Sequence, residues 1–156
     1  MECLERMEGY LRENGVPFEV LRHTEAYTMP EVAAALHVPG EQVAKVVMVK
    51  ADGEMAMLVV SAVHRLDFAR VRAVIGAEEV SLAKEEEFAD LFPDCAVGAM
   101  PPFGNLYNVP VYVDQALADE ADIVFRVGTH QHTMKVAYTD FARLAEPKVG
   151  EFGQHL

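Results

Sequence analysis

Residues 44–61 read "AKVVMVKADGEMAMLVVS". Two apolar runs flank Asp52-Gly53, a dipeptide suited to the positive backbone angles of a tight hairpin turn. Nearly every position in the runs is apolar, rather than every second one, so both strands are expected to be covered on both faces. A hairpin of this kind belongs in the middle of a sheet with other layers packed on it.

On the N-terminal side, "CLERMEGYLREN" (3–14) sets Leu4, Met7 and Leu11 at helical spacing, with Gly15 where a C-terminal cap belongs. "PFEVLRH" (17–23) alternates as a half-buried strand would, with Phe18 and Val20 inward. Thr28 and Glu31 have the spacing of a capping box, and Pro30 is tolerated in a first turn, which predicts a helix over 29–37.

On the C-terminal side, "DFARVRAVIG" (67–76) places Phe68, Val71, Val74 and Ile75 on one helical face, with Asp67 as cap and Gly76 as stop. "AKEEEFADLF" (83–92) reads as a second helix ended by Pro93. "VPVYVD" (109–114), "DIVFRVG" (122–128) and "TMKVAYT" (133–139) are further strands, and "DFARLA" (140–145) is a last helix opened by Thr139 or Asp140. The order implies an α/β (α+β) fold: a single domain over 1–156 with a central mixed β-sheet flanked by helices. The chain of 156 residues is 51% hydrophobic, enough for a core, and shows no repeat or linker.

Thirteen basic against twenty-five acidic residues give a formal charge of −12. Such a surface repels phosphate, so broad backbone binding to nucleic acid is not expected. Lys45, Lys50, Arg65, Arg70, Arg72 and Lys135 remain as material for a local basic rim. Two cysteines, Cys3 and Cys95, are too few for a disulfide scaffold and are expected to be reduced. With no basic-then-apolar leader and no long uncharged apolar stretch, a cytoplasmic location and no membrane contact are expected.

Three places carry polar chemistry. "GAMPPFG" (98–104) is stiffened by Pro101 and Pro102, while Gly98 and Gly104 allow close backbone approach. Its Met100 and Phe103 are candidates for one wall of an apolar pocket, against the plain reading of a connecting loop. Lys45 opens an apolar strand, either as a snorkelling side chain or as a cation beside a pocket. "RVGTHQHTMKV" (126–136) interrupts an apolar run with Gly128, Thr129, His130 and His132.

Two sharper readings are weaker. His130 and His132 share a strand face and are able to ligate zinc with His23, His37 or His64, but no H-E-x-x-H or paired cysteines accompany them, so neither metal nor cofactor is expected. Ser61, His64 and Asp67 in "SAVHRLD" lack a nucleophile elbow, and triad members seldom crowd one segment.

The segments "AKVVMVK", "VVSAVHRLD", "LFPDCAVGAMPPFG", "VPVYVD" and "GTHQHTMKV…DFARLA" occur in the order of a known family. The chain resembles the YbaK-like stand-alone aminoacyl-tRNA deacylases, related to the editing domain of bacterial prolyl-tRNA synthetases, over about 16–147. The resemblance implies that Lys45, Gly98 and His130 form the catalytic set. It further implies that Met100, Pro101, Pro102, Phe103, Gly128, Thr129, Ser61 and His64 surround the substrate. Gly98 and Pro102 match the family's G-x-x-x-P loop, whose backbone holds the aminoacyl carbonyl.

The implied partner is the aminoacylated 3′ end of tRNA, with an aminoacyl-tRNA synthetase as a second one. The implied reaction is hydrolysis of the aminoacyl ester, assisted by the terminal 2′-hydroxyl or a water that it orients. An activated ester needs positioning and oxyanion stabilisation more than a strong nucleophile. Val46 stands where some subgroups have asparagine, so no subgroup's amino acid carries over. The competing class is a non-catalytic module of the same fold that binds an amino-acid-like ligand or a synthetase.

Overall fold

The computed structural model describes residues 2–23 and 29–156, with the side chains of Met29 and Pro30 excepted. In chain order the elements are α1 (Cys3–Glu13), β1 (Glu19–Arg22), α2 (Met29–Leu36), β2 (Ala44–Ala51), β3 (Glu54–Ser61), β4 (His64–Leu66) and α3 (Phe68–Ile75). There follow β5 (Val80–Leu82), α4 (Glu85–Phe88), β6 (Val111–Asp114), α5 (Gln115–Ala118), β7 (Asp122–Val127), β8 (Thr129–Ala137), α6 (Tyr138–Ala145), β9 (Lys148–Gly150) and β10 (Gly153–His155).

The quoted hairpin organises the molecule. β2 and β3 pair antiparallel from Ala44 opposite Ser61 to Ala51 opposite Glu54, and Asp52 and Gly53 both take positive φ, 50° and 86°. They sit inside a mixed sheet of order β5-β2-β3-β6-β9, in which β6 and β9 join in parallel. Alternation then explains the continuous apolar runs. Met57 and Val59 point into the main core, while Ala56, Leu58 and Val60 point into a second cluster with Val71 and Phe152. A separate antiparallel sheet, β1-β8-β7, stands beside the first, and β4 pairs with β10.

α1 and α3 form where the sequence asks, whereas α6 opens at Tyr138 rather than at Thr139 or Asp140, because the still extended Ala137 ends β8 and leads straight into it. α1 buries Cys3, Met7 and Leu11. Asp67 caps α3 by accepting from the backbone N–H groups of Ala69 and Arg70, and Gly76 ends it in the left-handed conformation.

Three expectations need adjustment. Val20 stands opposite the buried Met134 yet is 36% exposed, because β1 is an edge strand of the smaller sheet with no strand among the described residues covering its outer side. The helix read over 83–92 is one α turn followed by a 3₁₀ turn at Ala89–Leu91; Pro93 disfavours α geometry at Phe92 and the chain tightens before it. β8 starts at Thr129, not Thr133, so the polar interruption is the start of a strand. The capping box at Thr28 lies outside the described residues.

Candidate active site

Lys45 lies at the entrance to β2. Its half-buried ammonium donates to the His64 carbonyl at 2.6 Å, and burial holds its pKa below the ordinary lysine value. An ammonium has three donors, so this bond fixes Lys45 without exhausting it. Ser61 is buried and donates to the Gly40 carbonyl at 3.1 Å while accepting from the Val63 N–H. Its hydroxyl therefore ties the hairpin to the preceding turn. The His64 ring meets His155 edge-on at 5.2 Å.

The loop after Cys95 is held by backbone as well as by proline. Ala96 N–H donates to the Gly128 carbonyl at 2.9 Å, and Gly128 N–H donates to the Ala99 carbonyl at 2.8 Å. Gly98, between those anchors, has φ +84°, and Gly128 has φ +83°. Both conformations suit glycine. Space also matters at Gly128, where a Cβ would lie 2.9 Å from that of Cys3.

His130 reaches over this loop. Its Nε2 lies 3.1 Å from the Val97 carbonyl, which only accepts, so that nitrogen carries the hydrogen. A Cβ on Gly98 would stand 3.4 Å from His130 Cε1. Arg126 closes the same corner by donating through Nη1 to the Gly98 carbonyl at 3.0 Å. Thr129 and His132 pair with each other at 2.7 Å. The two histidines of the H-x-H pair thus engage different partners.

Met100 and Phe103, expected to wall a pocket, are packed in the main core, with Pro101 and Pro102 buried beside them. The Phe103 ring meets Phe141 at 5.3 Å, Phe125 at 5.8 Å and Tyr10 at 6.0 Å, all near edge-to-face. Gly104 is equally constrained, since a Cβ there would lie 2.7 Å from the Val109 carbonyl. The stiff loop sends its apolar side chains inward, and its backbone at Gly98 meets His130 and Arg126.

The two halves of the site are brought together by one parallel bridge, Val43 to Val124, which sets the start of β2 beside β7. Lys45 and Arg126 each stand two residues beyond that bridge, at equivalent register positions. The proposed basic rim does not assemble as a unit. Lys50, toward the far end of β2, pairs with Glu87 at 2.7 Å, and Arg70 pairs with Asp67 at 3.6 Å.

Sequence reasoning missed two features. Arg126 is only 6% exposed, and the available signal was a charge within the apolar run "DIVFRVG". The other is a polar knot under the loop, where Tyr107 donates to Asp94 at 3.1 Å and contacts Cys95 Sγ at 3.3 Å, with Cys3 Sγ at 4.0 Å. The hydrogen bond with Cys95 and burial push the Cys3 thiol pKa up, so it stays protonated. Among the described residues, Cys3, Asp94 and Cys95 are the group of three metal-capable side chains that comes together, and the Tyr107 hydroxyl already contacts all three.

The sequence pattern of the aminoacyl-tRNA editing domain matches residues 23–144, most of the chain and a span that includes Lys45, Gly98, Arg126 and His130. The chain belongs to the aminoacyl-tRNA editing domain family. Among curated relatives, proline-tRNA ligase of Leuconostoc citreum is 27% identical over 139 residues, covering 87% of this chain and 24% of the ligase. Proline-tRNA ligase of Bacillus cytotoxicus is 34% identical over 88 residues, covering 56% of this chain and 15% of the ligase. The chain therefore spans a quarter or less of the length of these ligases. A crystal structure described as that of a candidate trans-editing enzyme for prolyl-tRNA synthetase superposes with a TM-score of 0.82 at 22% identity, covering 96% of each chain. That likeness establishes the fold of this editing-domain chain, a mixed α/β domain built on the five-stranded sheet.

Proposed function

We propose that this editing domain hydrolyses the aminoacyl ester of mischarged tRNA in trans, releasing the amino acid and a tRNA with a free terminal hydroxyl. The observation that carries the reading is the meeting of Gly98, in the left-handed conformation, with His130 and Arg126 at the end of a loop clamped by two backbone hydrogen bonds to Gly128. This supplies a fixed backbone corner of the kind that positions an activated carbonyl.

In this reading Lys45, anchored on the His64 carbonyl, faces the oxyanion that develops as water attacks the ester carbon. The His130 ring, held by the Val97 carbonyl through Nε2, orients the attacking water or the terminal 2′-hydroxyl. Gly128 and Thr129 edge the site, and the buried Met100–Phe103 segment keeps the Gly98 corner rigid. Ser61 and His64 act on the Lys45 side, His64 through its carbonyl. No residue is required to form a covalent intermediate.

The test is a deacylation screen with wild-type and Lys45→Ala protein against a panel of correctly and incorrectly charged tRNAs. Loss of one or a few mischarged species with the wild type, and a rate lower by about 10²-fold in the folded variant, is the expected result. No deacylation anywhere in the panel would transfer the site to a binding module for an amino-acid-like ligand or a synthetase.

A further inference from the structure

Arg126 carries an unmet demand that the hydrolytic reading does not use. Along β7, Ile123, Phe125 and Val127 enter the main core, and Val124 and Arg126 take the opposite face. Among the described residues only Nη1 is occupied, on the Gly98 carbonyl. Nε and Nη2 are buried and have no hydrogen-bond partner among the described residues. A buried guanidinium with two idle donors is costly, and such orphans are rare enough in folded proteins to call for a cause.

The identity of the idle atoms is informative. Nε–H and Nη2–H project in parallel from one edge of the guanidinium, the edge that grips two oxygens on a single carbon or phosphorus. A neutral carbonyl would fill one donor and leave the other empty, and an ammonium would be repelled. Burial works against the charge, and Glu31 on α2, which is itself exposed, offsets it in part. In a chain of net charge −12, this pair of donors is a local exception to an acidic surface.

We propose that the Nε/Nη2 edge of Arg126 is an oxyanion-binding subsite that grips a two-oxygen anionic group on the ligand entering beside Gly98. The assignment rests on the reading of this site as one for aminoacyl-tRNA. On that substrate two groups have the required chemistry: the phosphodiester next to the terminal adenosine, and the carboxylate of an acidic aminoacyl side chain. The α-amino group is cationic and is turned away from the fork. Arg126 is thereby a positioning residue, which fixes the substrate while its Nη1 braces the Gly98 carbonyl.

The experiment follows the Arg126 Nε–H resonance of the wild-type protein during titration with adenosine 5′-monophosphate, with adenosine alone, and with glutarate. A saturable shift with the nucleotide but not the nucleoside assigns the phosphodiester. A shift with glutarate and none with the nucleotide assigns the side-chain carboxylate. In either case Arg126→Lys, checked for folding by circular dichroism, weakens the binding by about tenfold or more, because lysine keeps the charge and loses the fork.

No shift with either anion, or equal affinity in folded Arg126→Lys, overturns the subsite. Deacylation by the wild type without anion binding at Arg126 would refute this assignment alone. Anion binding without deacylation of any tRNA would refute the hydrolytic reading alone.

Discussion

Replacing Gly128 by alanine tests whether the clamp on the Gly98 loop is as tight as its geometry indicates, and Gly53 provides an internal reference. The two glycines have nearly the same backbone, φ +83° and φ +86°. An L-residue in that region costs about 1–2 kcal/mol, and the loss of chain entropy in the unfolded state is common to both. They differ in space: nothing lies within 4 Å of a Cβ at Gly53, whereas one at Gly128 would meet Cys3 Cβ at 2.9 Å and the Leu4 backbone nitrogen at 3.4 Å.

Relieving that contact requires moving the first turn of α1, an overpacking cost of about 1–3 kcal/mol. Gly53→Ala is therefore expected to lose about 1–2 kcal/mol and Gly128→Ala about 2–5 kcal/mol. The difference corresponds to a further drop in Tm of roughly 2–12 °C for a chain of this size. Equilibrium urea denaturation read by circular dichroism, with unchanged m-values, measures both. Equal losses at the two positions would show that α1 yields freely at Cys3 and would refute the packing argument.

Tyr107→Phe removes the hydroxyl that bonds Asp94 at 3.1 Å and Cys95 at 3.3 Å, and is expected to cost about 1–3 kcal/mol in urea denaturation; an unchanged midpoint would show that Asp94 is satisfied without it. Because burial lowers the Lys45 pKa, the folded protein sheds that proton before the unfolded chain does as pH rises towards the ordinary value of 10.5. The unfolded state then holds more protons, so wild-type stability should rise with pH in that alkaline window relative to Lys45→Met; parallel pH curves for the two proteins would contradict this. In the deacylation assay, His130→Ala is expected to lower the rate about 10²-fold and His132→Ala to leave it within a factor of about two. Equal losses would mean that the two rings share a task.

The hairpin, the two ends of α3 and the Gly98 loop were legible because each rests on chemistry local to a few residues. Asp52-Gly53 is a turn wherever it occurs between two strands, Asp67 caps α3 through its own neighbours, and Pro101-Pro102 stiffens any loop. Three-residue strands such as β4, β5, β9 and β10 are too short for periodicity to register, and the partner's backbone defines them. The inward turn of Phe103 was hidden for a related reason. An apolar side chain on a rigid loop has the same letter whether it lines a pocket or fills a core.

The order of the segments determined the family, the fold and the residue types available for chemistry, since these depend on pattern along the chain. The site itself depends on distances across it. Gly98 and His130, thirty-two positions apart, meet because two backbone hydrogen bonds dock one loop on Gly128, and Lys45 and Arg126 come level because a single bridge joins Val43 to Val124. Whether a buried cation has partners is a sum over neighbours from the whole fold, so the idle edge of Arg126 exists only in three dimensions.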